Sequence, residues 1–263
     1  MPPSFGDKSY WDARFAANPS TFDWLLPAGP LLSSIHSSLT TTPCPRILHI
    51  GCGTSSLSFH LKGLTGDPKK ICNVDFSPIA VEAGKAQDGS MNWETLDLLS
   101  AEQVLEFKKA NMFEDGGGGF GLIIDKSTAD AISCASDVDV EFPYFIASNT
   151  VEGSSRKTAK IHPLAILSLH LAYLVAPGAK WLLLSYSSSR CSFLGPEKDG
   201  DKVVDQKALD EGFPDPRSLW RVVKEEALDA PDENNDSNSV VKRPVVKHTL
   251  YTLERSDFKL IAR

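Results

Sequence analysis

Arg46 to Phe59 reads RILHIGCGTSSLSF, and the fold turns on this stretch. Ile47 to Ile50 have the composition of a short buried strand, Gly51-Cys52-Gly53 breaks it, and a segment of helical composition follows. A strand that runs into a glycine turn opening a helix is a way to hold a nucleotide-type ligand. Glycine lets the backbone come close, and the free N–H groups of the helix start face what lies there. The same residues also fit an ordinary tight turn, because a lone G-x-G is common. The neighbouring segments have to decide between the two.

Working outward, strands alternate with helices. Ile71 to Asp75, Met91 to Leu96, Phe120 to Asp125 and Lys180 to Tyr186 read as strands. Lys8 to Ala17, Pro30 to Thr40, the segment opened by Ser77-Pro78, Ala101 to Ala110 and His162 to Val175 read as helices, the last closed by Ala176-Pro177-Gly178. Leu219 to Ala227 and His248 to Glu254 alternate like strands with no helix between them, which predicts an antiparallel pair at a sheet edge. The pattern is that of one α/β domain over residues 1–263. Residues 1–44 precede the first central strand and carry an aromatic cluster that is either core or a lid over a flat ligand. Residues 136–160 read as an inserted loop, and the acidic stretch within 228–244 as a mobile one. Gly116 to Gly119 lack the Lys-Ser/Thr of a phosphate loop and read as a surface loop.

The composition is 41% hydrophobic and 23% charged, that of a globular chain with room for a large core. No apolar run approaches the length of a membrane span, and the first residues lack the pattern of a signal peptide. The expected location is the cytoplasm, with the nucleus as the alternative. A net charge of −7 disfavours nucleic acid and favours a basic protein partner. The five cysteines form no C-x-x-C pair and read as reduced thiols, and no metal-ligand spacing occurs.

An open α/β sheet binds ligands outside the carboxyl ends of its strands, where the strand order reverses. The first turn offers Gly51 and Gly53, and the second strand ends in Asp75, whose carboxylate can accept from a ribose diol, as in NAD enzymes. Ser56 stands where the third glycine of the dinucleotide fingerprint belongs, and the third strand ends in another acid, Asp97, followed by Leu98. A carboxylate beside a backbone N–H suits the edge of adenine. Glycine turn, ribose acid and adenine acid after successive strands together point to S-adenosylmethionine (SAM).

At this point the sequence resembles the class I SAM-dependent methyltransferases, and more narrowly the methyltransferase-like branch that includes elongation factor 1A lysine methyltransferases. The resemblance is carried by YWDARF (Tyr10 to Phe15), FDWL (Phe22 to Leu25), ILHIGCGTSSLS (Ile47 to Ser58), VDFS (Val74 to Ser77), WETLDLL (Trp93 to Leu99) and IIDKSTADAI (Ile123 to Ile132). It implies a seven-strand Rossmann-like α/β fold, mostly parallel with an antiparallel C-terminal edge. It also implies roles: Trp11, Phe15 and Trp24 closing over the cofactor, Gly51 against its methionine portion, Asp75 with Phe76 at the ribose, Asp97 with Leu98 at adenine, and Lys126 near the amino-acid end or the substrate entrance. Ser127 and Ala129 depart from the Gly and Leu of the family pattern. His49, where an acid or aliphatic residue is usual, reads as a core histidine.

The activity expected from this resemblance is lysine methylation of an elongation factor 1A-like basic protein. A small-molecule N- or O-methyltransferase and a SAM-binding scaffold without turnover are the alternatives. An ammonium has no lone pair, so a lysine acceptor must lose a proton before attack. Asp125 and Asp130, and Tyr186 at the end of the fifth strand, are the candidates to orient it.

Overall fold

The computed structural model describes residues 3–18, 20–41, 46–111, 119–141, 144–146, 158–195, 203–229 and 247–262. Its centre is a seven-stranded sheet. The strands are β1 (Ile47–Ile50), β2 (Ile71–Asp75), β3 (Asn92–Thr95), β4 (Phe120–Lys126), β8 (Val175–Ser185), β9 (Trp220–Asp229) and β10 (Lys247–Arg255), in the order β3-β2-β1-β4-β8-β10-β9. β1 pairs in parallel with β2 and β4, and only β10 runs against its neighbours. The strand order reverses between β1 and β4, so the crevice at their carboxyl ends is where such a sheet takes a ligand.

Both faces of the sheet are covered, and the central strands are accordingly apolar but for the buried His49 of β1, Asn73 of β2 and the residues at their carboxyl ends. Ile47, Ile71, Leu122, Ile124, Leu182 and Leu184 pack under Leu31 and Ile35 of α2 (Gly29–Thr41) and Leu57 and Leu61 of α3 (Leu57–Thr65). Leu48, Ile50, Cys72, Val74 and Ile123 face the other way, toward α5 (Ala101–Asn111) and α7 (Pro163–Leu174). α7 is buried along nearly its whole length, because helices and a short strand flank it on the sides away from the sheet. α1 (Lys8–Ala17) packs on α4 (Pro78–Gln87) at the carboxyl edge.

Two expectations are corrected. The stretch 136–160 is not simply a loop: β5 (Val138–Glu141) pairs antiparallel with β7 (Thr158–Ile161), and β6 (Tyr144–Ile146) pairs with β11 (Leu260–Ala262) near the end of the chain. Val138 and Val140 alternate with Asp139 and Glu141, a strand pattern hidden in a polar stretch. Residues 142–143 and 147–157 of that stretch lie outside the described residues, as do 230–244 of the acidic segment and 116–118 of the glycine run. The turn expected at Ala176-Pro177-Gly178 exists, but as a bulge within β8. Between the pairs Phe120↔Val175 and Leu122↔Lys180, β4 advances two residues and β8 five, with Gly178 at φ +79°. The α6 helix (Thr128–Ile132) starts right after β4.

Gly51 sits in the left-handed region at φ +51°, and a Cβ there would lie 2.1 Å from Thr128 Oγ1, which donates to the Ile50 carbonyl. Gly51→Ala is therefore expected to lower the unfolding free energy by more than about 1 kcal/mol. Urea unfolding should show a lower midpoint at an unchanged slope.

Candidate cofactor site

The turns after β1, β2, β3 and β4 and the N-terminal segment enclose a cleft of about 910 Å³. Trp11, Phe15, Trp24, Gly51, Gly53, Asp75, Phe76, Asp97, Leu98 and Lys126 all line it, so residues drawn from six separate stretches of sequence are brought together. Asp75 is the hub. Its Oδ2 accepts from the Gly53 N–H at 2.9 Å and its Oδ1 from the Ser77 N–H at 2.9 Å, so one carboxylate holds both turns. It is only 4% exposed, and burial pushes its pKa up to about 6 against the pull of those two N–H donors.

At the third turn, Asp97 Oδ1 accepts from the Leu99 N–H at 2.9 Å, and the Asp97 N–H donates to Gln103 Oε1 at 2.9 Å. The Leu98 N–H finds no acceptor among the described residues, and both residues face the cleft. A half-buried carboxylate beside a free N–H is the donor–acceptor pair that an adenine edge requires.

The aromatic segment forms a wall over this floor. Trp11 and Phe15 stack at 5.8 Å, and Trp24 packs against Trp11 at 5.3 Å and Phe5 at 4.9 Å. Trp11 Nε1 donates to the Phe5 carbonyl at 2.8 Å. Phe15 lies over Gly53, its ring 3.3 Å from where a Cβ would stand.

Sequence reasoning passed over the group that ties this wall down. Asp23 accepts from the hydroxyls of Ser55 and of Ser56 (2.8 Å) and pairs with Lys126 Nζ at 3.1 Å. The ammonium, its side chain 4% exposed, also donates to the carbonyls of Trp24 at 3.0 Å and Leu26 at 3.4 Å. Lys126 therefore holds the lid segment, and its three N–H donors are engaged there. Burial lowers its pKa, with Asp23 opposing. Burial pushes Asp23 up, but the donors from Ser55, Lys126 and Ser56 outweigh it and keep the carboxyl below its usual range. Between them Leu25 adopts φ +67°, a strained conformation for a leucine. The only local signal was FDWL beside GCGTSS, two segments whose polar residues give no hint of pairing.

Comparison with known proteins adds to this geometry. No protein-family profile matches the chain. A SAM-dependent methyltransferase from Anabaena variabilis superposes on this structure with a TM-score of 0.53 at 11% identity over 97% of this chain and 96% of that one. The fold is that of the class I methyltransferases. In sequence, the chain is 36% identical over 143 residues to methyltransferase srdJ of Neurospora crassa, covering 51% of this chain and 57% of that protein. It is 28% identical over 188 residues to mouse EEF1A lysine methyltransferase 4, covering 69% and 65%. Human mitochondrial citrate synthase-lysine N-methyltransferase CSKMT is 33% identical over 141 residues, covering 48% and 58%. The matches thus span somewhat over half of the length of these relatives.

Within this methyltransferase fold, the candidate acceptor-side residues sit apart from the cleft wall. Asp125 is fully buried, and its Oδ1 accepts from the Thr128 N–H at 2.8 Å and the Ala129 N–H at 3.3 Å at the start of α6. Burial, with Asp130 adding to it, pushes its pKa up to about 7. Asp130 accepts from Ser185 Oγ at 2.5 Å, the Tyr186 N–H at 3.1 Å and Arg190 Nε at 2.8 Å, joining α6 to the end of β8. Tyr186 stands just past β8, 51% exposed, with the Arg190 guanidinium 5.3 Å from its ring centre. None of the three belongs to the cleft lining. His49 does line it, besides being buried in the core as expected. Its Nδ1 lies 3.0 Å from Ser58 Oγ and 3.1 Å from Asn73 Oδ1, and burial lowers its pKa to about 4.

The pair Asp23–Lys126 makes a directional prediction. Removing the carboxylate strands a buried ammonium, whereas removing the ammonium leaves a half-buried carboxylate still bonded to two hydroxyls. Asp23→Ala should cost roughly 2 kcal/mol or more, and Lys126→Met clearly less. Thermal melts of the two variants, which should fall in that order, check it.

Proposed function

We propose that the chain is a SAM-dependent methyltransferase whose acceptor is a lysine amine on a basic protein, of the elongation factor 1A type. The observation that carries this reading is the convergence of the glycine turn, Asp75 with Phe76, and Asp97 with Leu98 on one cleft under an aromatic wall. The residues fit the cofactor. Each Asp75 oxygen has accepted one backbone N–H and keeps a lone pair for a ribose hydroxyl. Asp97 Oδ2 and the Leu98 N–H are left to read adenine. When bound, SAM would supply a methyl group on a positively charged sulfur, open to in-line attack by the acceptor's lone pair with the neutral thioether as leaving group.

What the chain does is positioning and desolvation. Trp11, Phe15 and Trp24 keep water from the cleft, and Asp23 with Lys126 seats Trp24. Following the order β3, β2, β1, β4, the turns at Asp97, Asp75 and Gly51 would hold the adenine, ribose and amino-acid portions in turn, and the acceptor would enter past β4. On that side Tyr186, exposed and held through its N–H by Asp130, meets the incoming amine, while Asp125 fixes the turn that carries Lys126 to Thr128. The names of the mouse and human relatives support a lysine acceptor. The net charge of −7 suits a basic protein better than nucleic acid. No helix among the described residues is long and apolar enough to cross a membrane. A cytoplasmic location accords with such a substrate.

Calorimetry with SAM, followed by transfer of a labelled methyl group from SAM into elongation factor 1A and into lysate fractions, tests the reading. Label in one protein band, lost when its lysines are blocked, is the expected outcome; label in the small-molecule fraction refutes the protein acceptor. Asp75→Ala should weaken SAM binding roughly a hundredfold or more.

Asp75 also fixes a pH dependence. Its folded pKa, about 6, is above the ordinary carboxyl value, so its contribution to stability is present at low pH and lost as pH rises through 6. Hydroxyl donors from a ribose favour the charged form and lower that pKa, so binding releases a proton near pH 6. SAM affinity is expected to rise between about pH 5 and 7. Calorimetry in buffers of different ionisation enthalpy measures the released proton, and Asp75→Asn should abolish it.

A further inference from the structure

α7 is apolar except at Ser168 and His170, and His170 is 1% exposed in the middle of it. A buried imidazole is costly unless its polar atoms are used. His170 Nδ1 lies 2.6 Å from the carbonyl oxygen of Leu98, seventy-two residues away. A carbonyl only accepts, so Nδ1 carries the proton, and burial keeps the ring neutral with a pKa near 4. Nε2 is then a bare acceptor, without a partner among the described residues, beside a small void bounded by Leu99, Val140, Ile166 and Phe213. The edge of the Tyr144 ring, 5.6 Å between centres at 84°, sets the plane of the imidazole.

The Leu98 carbonyl and the Leu99 N–H belong to one planar trans peptide and point to opposite sides. His170 holds the carbonyl, and Asp97 Oδ1 accepts from the N–H at 2.9 Å. The peptide is clamped from both sides, and clamping it fixes the rotamer of Asp97. With Oδ1 so engaged and the Asp97 N–H bonded to Gln103, what remains for a ligand is Asp97 Oδ2 and the Leu98 N–H.

We propose that His170 is a positioning residue for base recognition: through the Leu98–Leu99 peptide it aims Asp97 Oδ2 and the Leu98 N–H at the edge of an adenine. The inference rests on the cofactor reading above and goes beyond it by assigning the base specificity to a side chain that does not touch the ligand. An adenine edge offers an amine donor beside a ring acceptor, and a hypoxanthine edge offers the reverse pair. A site held in one orientation should tell them apart, and a site free to turn should not.

The test compares binding of SAM with that of its inosine counterpart, in which a carbonyl replaces the 6-amino group, by calorimetry on the full chain. The wild-type chain should prefer SAM by roughly ten- to a hundredfold. His170→Phe, which keeps a ring against Tyr144 but has no donor, should lose most of that preference. His170→Asn, whose side-chain N–H stands close to the position of Nδ1, should recover it. His170→Leu is measured alongside, and whichever donorless variant folds serves for the comparison. A donorless variant that melts earlier but keeps the wild-type preference overturns the proposal, since a structural role alone would do that. If the wild-type chain binds neither compound, the cofactor reading itself fails and this inference falls with it; if it binds SAM and the variants leave the ratio unchanged, only the inference fails.

Discussion

The carboxylate of Asp75 is the constraint on which the ligand edge depends. It makes no ion pair within bonding distance among the described residues; it joins the turns after two neighbouring strands through one side chain. Gly53 needs a left-handed backbone at φ +50°, and its N–H has to end somewhere inside the protein. Asp75 receives it and, with the other oxygen, receives the N–H of Ser77 that opens α4. Backbone bonds from Cys52 to Val74 and from Leu96 to Asp75 continue the chain across β1, β2 and β3. The cost is a buried charge, visible in the raised pKa, and two N–H donors offset only part of it. A buried carboxylate with unused lone pairs facing a cleft is a site with a stated need, and hydroxyl donors meet it.

The aromatic wall raises a different problem. Burial itself is non-directional, and ring pairs accept both offset-stacked and edge-to-face geometries, so packing alone leaves Trp11, Phe15 and Trp24 several arrangements. Direction comes from the polar pins beneath them. Asp23 reaches the hydroxyls of the glycine turn on one side and the end of β4 on the other, and Lys126 gathers the carbonyls of Trp24 and Leu26. Leu25 between those carbonyls is driven to a positive φ, a cost on the order of 1–2 kcal/mol that persists because the bonds on both sides over-determine it. The strain marks where the chain bends to lay Trp24 over the cleft.

These two layers differ in how much of them the sequence discloses. Strands β1, β2 and β4 are short apolar runs ended by glycine or aspartate, and the helices between them carry proline or glycine punctuation, so type and order could be read locally. The turns at Gly51, Asp75 and Asp97 inherit that legibility, since each follows a strand. What could not be read is polar and remote. Asp23 meets Lys126 and His170 meets Leu98 across long separations, and neither residue sits in a pattern that announces a partner. An acid at the end of a strand, as Asp125 is, can face a ligand or collect the N–H groups of the next helix, and the residue itself does not say which. Here Asp125 does the second, and Asp130 spends its oxygens on Ser185, Tyr186 and Arg190. Strands β5 and β7 were missed because Val138 and Val140 alternate with acids in a run short enough to pass for a loop.

The edge beyond β4 is built on another principle than the cleft. The cleft is made of consecutive turns of one sheet, each fixed by the strand before it. Beyond β4, by contrast, Asp130 fastens α6 to the residues after β8, and β8 pairs in turn with the antiparallel strand β10. Ser127, at the join, sits at φ +75°, in a conformation that glycine holds without strain, and its hydroxyl is buried with no partner among the described residues. A glycine would hold that conformation at no steric cost, so the serine stores strain where β4 passes into α6. The strain at that join belongs to one residue of this chain, whereas the turns at Gly51, Asp75 and Asp97 follow from the strands before them.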